Sequence, residues 1–303
     1  MEDWHHRPAE FTAGDLAGDL AGIEAHLQAN VSFIVWLYGS VFILGFILLA
    51  AFTWRIQRKP LDWDEPVRRL AWRPWSLRSA AVIVLPLLAV QVLLGFAHAA
   101  FADRMPWSEP DGERALIIVQ SLLFHWLCFA LIAASLYLNR LPWGTAFGFS
   151  PKGIGREILW GVGIMIGVMP LLIGYNVVAQ IVMNWMGYEP PVQDVTRIIH
   201  GASDVPTKVY FALLAVVIAP VVEELLFRGV LLPALTRYAG VKPAIVAVSV
   251  LFALVHGHLP SAVPLFILSA ALSLAYIYRG SLVTSIAMHA FFNSMTIAVI
   301  LRG

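Results

Sequence analysis

Charged side chains are scarce in this sequence. Only 13% of the 303 residues are Asp, Glu, Lys or Arg, against about 25% in an average soluble domain, while 59% are hydrophobic. The mean hydropathy is +0.77. This balance excludes a disordered chain, a basic nucleic-acid-binding domain and most soluble enzymes. It predicts a membrane protein, with no nucleic acid among its partners.

Cysteine is nearly absent, since Cys128 is the single one. One thiol cannot form a disulfide within the chain or a cysteine-based metal cluster. The alternation of apolar and polar residues that is typical of a membrane β-barrel is also missing, because the apolar runs are continuous. The predicted spanning element is therefore the α-helix.

Eight apolar runs are candidates for helices that cross the bilayer, which needs about 20 residues for each crossing. They predict an all-α polytopic transmembrane bundle of eight spans, or of seven if the short sixth run does not cross. The runs are Val31–Trp54, Ser79–Phe101, Ala115–Leu138, Ile158–Met183, Val209–Leu235, Pro243–His258, Ser261–Tyr278 and Ser281–Leu301.

The distribution of Lys and Arg between the loops predicts how the chain is oriented. Loop 55–78 holds seven of them, and with eight spans its side of the membrane carries 13 against six on the other. The positive-inside rule then places this loop in the cytoplasm and both termini outside it. The composition of the loops and tail is typical of a bacterial protein, which predicts the bacterial inner membrane. Trp63, Trp72 and Trp75 are typical of a loop at the lipid headgroups, so membrane lipids are expected partners.

Three regions are predicted along the chain. Residues 1–30 carry six acids and one Arg and form an acidic extracytoplasmic tail. Residues 31–157 hold the first three spans together with the basic cytoplasmic loop 55–78. Residues 158–303 hold the remaining spans, and the unusual polar residues lie there.

Three charged residues interrupt the fifth predicted span. Glu223, Glu224 and Arg228 would each cost about 2.5–3.5 kcal/mol at the centre of a span, so something must offset them. Glu224 and Arg228 are four residues apart and can pair on one helix face. Glu223 is rotated by about 100° from Glu224 and lacks a local partner, as a general base or acid requires. A purely structural ion cluster is the alternative.

Two later spans carry polar residues at helical spacing. Phe252 and His256 are four residues apart, and so are His289 and Asn293. With a rise of about 1.5 Å per residue and alternating helix directions, Glu223, His256 and His289 are expected at similar depths. Carboxylate, imidazole and amide groups that meet there could activate water and stabilise an oxyanion.

These motifs resemble those of the CPBP intramembrane proteases. That family includes CAAX-processing endopeptidases of the Ras-converting type and bacterial relatives linked to bacteriocin processing and self-immunity. Glu-Glu-x-x-x-Arg at 223–228, Phe-x-x-x-His at 252–256 and His-x-x-x-Asn at 289–293 occur in the order of the family. The resemblance identifies residues 158–303 as a CPBP-type catalytic membrane core.

The resemblance implies an enzyme, a CAAX-type intramembrane protease that hydrolyses peptide bonds of a membrane-associated or lipid-modified protein or peptide. Six catalytic residues are implied in three roles: water activation by Glu223 with His256, oxyanion stabilisation by His289 with Asn293, and support of charge and geometry by Glu224 with Arg228. The alternatives are a non-proteolytic scaffold or bacteriocin-immunity protein of the same family and, less favoured, an ion-coupled transporter.

The need for a metal stays open at this point. Glu223, His256 and His289 could supply three zinc ligands and leave a position for water. However, the sequence has no His-Glu-x-x-His motif, which would place two histidines on one helix. Activation of water by Glu and His without a metal is favoured, so no cofactor is required, and zinc is the alternative.

Several other residues in the spans receive structural interpretations. Gln91 and Gln120 are expected to hydrogen-bond between helices, and His125 to be a hydrogen-bonded core residue. Gly161 and Gly163 fit the close approach of neighbouring helices better than catalysis.

Overall fold

The computed structural model describes residues 13–101, 110–150, 152–202 and 204–302, with side chains for these except 13–27, 98–101, 110–114, 194 and 195. The described residues form helices and no strands, as predicted, while the first 12 residues of the predicted tail lie outside them. In chain order the α-helices are α1 (Ala13–Arg58), α2 (Asp64–Ala71), α3 (Leu77–Phe101), α4 (Pro110–Leu138), α5 (Trp143–Phe147), α6 (Ile154–Trp185), α7 (Asp194–Gly201), α8 (Val205–Leu213), α9 (Ala219–Glu224), α10 (Leu232–Ala239), α11 (Val241–Val255), α12 (Ala262–Arg279) and α13 (Leu282–Ile300).

The number of helices that can cross a membrane is seven within the described residues, not the favoured eight. The sixth predicted span is α11, a helix of 15 residues. Its length of about 22 Å is less than the roughly 30 Å of a bilayer core. The helical stretches that are long and apolar enough are Gln28–Arg58, Leu77–Ala97, Ala115–Leu138, Ile154–Trp185, Val205–Ala239, Leu259–Arg279 and Leu282–Ile300.

Although α11 is short, it connects opposite ends of the bundle. It follows α10, which contacts α2, and it begins after Gly240. Just beyond its other end, His258 Nε2–H donates to the carbonyl oxygen of Pro191, in the loop that follows α6 (2.9 Å). The first residues of α6 lie at the α2 end, because Glu157 binds Arg279 at the end of α12 (2.6 Å). Arg69 of α2 donates to the carbonyl oxygen of the preceding residue, Tyr278 (3.0 Å). Successive helices therefore still alternate in direction.

The basic loop 55–78 is partly buried in the protein. Arg73 is buried and donates to the carbonyl oxygens of Thr145 and Gly280, each at 2.7 Å. Trp75 is also buried and stacks on Phe147, with 5.6 Å between ring centroids. The expectation of a loop lying at the headgroups is wrong for Arg73 and Trp75. The guanidinium of Arg73 binds carbonyl groups that the helix ends leave unpaired, and the indole of Trp75 packs on Phe147.

The main apolar core joins the first three spans to the later ones. Ile83 of α3 and Ile132 of α4 are buried in the same cluster as Val230 and Phe252. The two predicted regions, 31–157 and 158–303, therefore share one core, and their boundary stays a prediction.

Gly161 of α6 lies against the backbone of α13, whereas Gly163 does not. A Cβ at Gly161 would be 2.5 Å from the carbonyl oxygen of Thr284, while a Cβ at Gly163 would meet nothing within 4 Å. The interpretation as close helix approach is thus confirmed for Gly161 and wrong for Gly163.

We expect Gly161→Ala to lower the free energy of unfolding by about 1–3 kcal/mol, since α13 must move away from α6. Gly163→Ala is the matched control. It should leave the free energy of unfolding unchanged or raise it by up to about 1 kcal/mol, because alanine has a higher helix propensity than glycine. Thermal denaturation of both variants in detergent measures the difference. Equal effects of the two substitutions would contradict the packing.

Candidate active site

The fifth span, Val205–Ala239, is an irregular helix. Two π-helical segments, Leu214–Ile218 and Leu225–Leu231, flank the six residues of α9, and the two acids lie at the end of α9. Short π-helical segments within α-helices occur frequently at functional sites. The irregularity therefore coincides with the residues that the sequence singled out.

The first π-helical segment frees a carbonyl group that Asn293 binds. Ala219 N–H donates to the carbonyl oxygen of Leu214, five residues back, and so does not pair with Ala215. Pro220, the next residue, has no N–H to offer. Asn293 Nδ2 donates instead to the carbonyl oxygen of Ala215 at 2.7 Å. One amide hydrogen thus holds Asn293 against the fifth span, and its second hydrogen is left for another acceptor.

The predicted pair of Glu224 and Arg228 is confirmed. Arg228 Nη1 donates to Glu224 Oε1 at 2.7 Å, and both side chains are 0% exposed. Arg228 Nη2 also donates to Ser269 Oγ at 2.7 Å, and the guanidinium carbon lies 4.6 Å from the ring centroid of Phe252. The sequence analysis did not assign Ser269, although a serine within a span is itself a signal.

His289 links this buried pair to Glu223. Its Nδ1 lies 3.0 Å from Glu224 Oε1, and its Nε2 lies 3.9 Å from Glu223 Oε2. A carboxylate accepts hydrogen bonds, so Nδ1 carries a proton, and Nε2 faces Glu223. Glu224 therefore fixes the orientation of the imidazole, as a carboxylate does in hydrolytic triads.

Glu223 is the acid that keeps a free oxygen. Its side chain is 20% exposed, and its Oε2 is shielded from solvent without a hydrogen-bond partner among the described residues. The 3.9 Å to His289 Nε2 is too long for a direct hydrogen bond. The predicted division between a paired Glu224 and an available Glu223 is confirmed.

A cavity of about 320 Å³ gives access to Glu223 and also contacts His256. His256 Nδ1–H donates to the carbonyl oxygen of Phe252 at 2.6 Å, which leaves Nε2 as the available nitrogen. The buried ring of Phe252 lies 4.7 Å from the His256 ring and 5.8 Å from the His289 ring. Phe252 thus packs between the two imidazoles and beside Arg228, which explains a phenylalanine at this position of the motif.

Taken together, five of the six predicted site residues meet in one region, with different degrees of contact, while Asn293 binds the carbonyl oxygen of Ala215 on the fifth span. Four form a continuous series of polar contacts: Arg228, Glu224, His289 and Glu223. His256 joins them through the cavity and Phe252. The catalytic roles remain predictions.

A three-ligand zinc site does not fit the placed side chains. Within the part of the chain that the structure describes, no three His, Cys, Asp or Glu side chains come together as a group that could hold a metal ion. Glu223, His256 and His289, the candidate ligands, therefore do not form such a group.

Comparison with known proteins identifies one family. Residues 205–295 match the model of the family described as Type II CAAX prenyl endopeptidase Rce1-like. This segment contains all three motifs, so the resemblance to CPBP proteases is confirmed there. No protein of curated function and no solved structure matches the chain.

Proposed function

We propose that this chain, which carries the Rce1-like segment 205–295, is an intramembrane endopeptidase that acts on a membrane-associated or lipid-modified protein or peptide. The observation that carries the proposal is the pair of Glu223 and His289. Glu223 Oε2 and His289 Nε2 are 3.9 Å apart, and Glu223 lines a cavity. The other side of the imidazole is held by the buried ion pair of Glu224 and Arg228. Such an arrangement suits water activation rather than ordinary helix packing.

In the proposed reaction, Glu223 Oε2 takes a proton from water while the water oxygen attacks the scissile carbonyl carbon. The tetrahedral oxyanion then collapses, the C–N bond breaks, and the proton moves from Glu223 to the leaving amine nitrogen. The reaction consumes one water molecule and leaves the enzyme unchanged. A positioned acid–base group of this kind contributes about 10²–10⁴-fold to the rate.

Oxyanion stabilisation is assigned to His289 and Asn293. His289 can donate from Nε2 only as the imidazolium, and the carboxylate of Glu224 at 3.0 Å from Nδ1 stabilises that charge. Asn293 can donate through the amide hydrogen that does not bind Ala215. This mechanism needs no cofactor.

The proposal includes a location. Seven apolar helices fit an integral membrane protein. We place it in a bacterial inner membrane. Both termini are assigned to the side outside the cytoplasm, because basic residues are concentrated on the side of loop 55–78 and because the short α11 adds an eighth passage between the two ends of the bundle. Its proposed partners are membrane lipids and a peptide or membrane-protein substrate.

The test is a proteomic comparison of membranes from cells that express the wild type, Glu223→Ala or His289→Ala, with insertion of each variant verified. We expect protein fragments present with the wild type to disappear with both variants, while the uncleaved precursors accumulate. If the fragments and the cellular phenotype persist in both variants, a scaffold or immunity function is correct. Ion flux into proteoliposomes that depends on Glu223 would instead indicate a transporter.

A further inference from the structure

The cavity beside Glu223 has a second wall that lies outside the Rce1-like segment. Polar residues of α3 and α4 line it together with Glu223 and His256, and α4 contacts α9. We call the side chains of Gln91, Gln120 and His125 the α3–α4 wall. The second and third spans, α3 and α4, thus contribute directly to the candidate active site.

The two glutamines do not make the bonds between helices that their position in the spans predicts. Neither Gln91 nor Gln120 has a side-chain hydrogen bond to any residue that the structure describes. Ser121, which also lines the cavity, differs because its hydroxyl lies 3.1 Å from the Tyr210 hydroxyl. Each glutamine amide therefore keeps two donor hydrogens and an acceptor oxygen for a molecule in the cavity.

The ring of His125 has an acceptor nitrogen to which no donor group is bound. Its Nδ1 lies 2.6 Å from the carbonyl oxygen of Ser121, which can only accept, so Nδ1 carries the proton and Nε2 is an acceptor in the neutral ring. Among the described residues, Nε2 has no partner and is shielded from solvent, and the same holds for Glu223 Oε2. Leaving two acceptors on one cavity without hydrogen bonds costs free energy, unless a ligand supplies N–H or O–H donors.

The charge of the cavity lining determines which class of ligand can bind there. Glu223 lines it, and no Lys or Arg is among the described residues that line it. Arg228 is 0% exposed and is already paired with Glu224. A carboxylate placed in this cavity would face Glu223 without a compensating cation, whereas uncharged amide groups match both the acceptors and the glutamines.

We propose that the α3–α4 wall is a subsite that binds the main-chain amide groups of an uncharged, extended segment of the substrate. In this subsite His125 Nε2 accepts a substrate N–H, and Gln91 and Gln120 bind substrate N–H and C=O groups. Every backbone amide that leaves water needs such partners. The inference rests on the proposed function and extends it to regions that the family motifs do not cover.

The test uses the full chain in nanodiscs and a pool of internally quenched decapeptides, randomised among uncharged residues, N-acetylated and C-amidated. We expect Gln120→Leu and His125→Leu each to raise the apparent KM about 5-fold, and the double variant about 25-fold, with kcat changed less than twofold. Gln180→Leu is the matched control, because Gln180 is exposed on α6 and donates to Asn184 four residues away (2.9 Å). Its KM should equal that of the wild type.

The possible results separate the subsite from the proposed function. If the wild type cleaves the pool and the wall variants keep the wild-type KM, the subsite is wrong and the protease activity stands. A fall in kcat at constant KM, or an equal effect of Gln180→Leu, also overturns the subsite. If the wild type cleaves no peptide of the pool while Glu223-dependent fragments are absent from membranes, both proposals fall.

Discussion

Replacing Arg228 with methionine is expected to lower the free energy of unfolding by about 3–5 kcal/mol. The substitution preserves much of the side-chain volume but leaves the carboxylate of Glu224 0% exposed and without the Nη1 donor at 2.7 Å. Breaking a buried ion pair by removing one partner strands a charge in an apolar interior, which is far more costly than losing an exposed pair. Denaturation in detergent, monitored by circular dichroism, measures the loss.

The double variant Glu224→Gln/Arg228→Met is the control for this prediction. It removes both charges, so most of the lost stability should return even though the interactions with Ser269 and His289 are weakened. If Arg228→Met alone stays within about 1 kcal/mol of the wild type, the pair does not offset the burial of Glu224 and the account of the span is wrong.

Glu223→Gln is expected to lower kcat by about 10²–10⁴-fold. Glutamine keeps the shape of the side chain but cannot take a proton from water. Stability should change little, because Glu223 Oε2 has no hydrogen-bond partner among the described residues and the side chain is partly exposed. The decapeptide pool and the nanodisc preparation described for the α3–α4 wall serve for the measurement.

Glu189→Gln is the matched control for Glu223→Gln. Glu189 is an exposed acid in the loop that follows α6, and the same chemical change there should leave kcat unchanged. A Glu223→Gln enzyme with at least a third of the wild-type kcat would exclude Glu223 as the base.

Patterns that are local in sequence predicted much of the fold and part of the site. Continuous hydropathy is sufficient to locate a span such as Ala115–Leu138, because each helix satisfies its own backbone hydrogen bonds in lipid. The four-residue spacing of Glu224 and Arg228 likewise predicted their bond, since such residues are neighbours on any helix. The approach of His289 to Glu223 needed one further assumption, that successive helices alternate in direction.

Features that depend on packing between distant segments were not predictable in this way. The carbonyl of Ala215 becomes available to Asn293 only because the backbone there adopts a π-helical segment. Trp75 was predicted to lie at the lipid headgroups, but in the folded chain it stacks on Phe147. Gln91, Gln120 and His125 could be recognised in the sequence as polar residues within spans. That they line one cavity follows only from the folded structure.

The most direct test of the central claim, that Glu223 activates water rather than attacking the substrate, is hydrolysis in H₂¹⁸O over many turnovers. Mass spectrometry of the product and of the proteolytic fragment that contains Glu223 locates the label. The account predicts ¹⁸O in the new carboxylate of the product and none in Glu223, because the carboxylate only transfers a proton. Label in the Glu223 side chain would show an acyl-enzyme anhydride and would contradict the account.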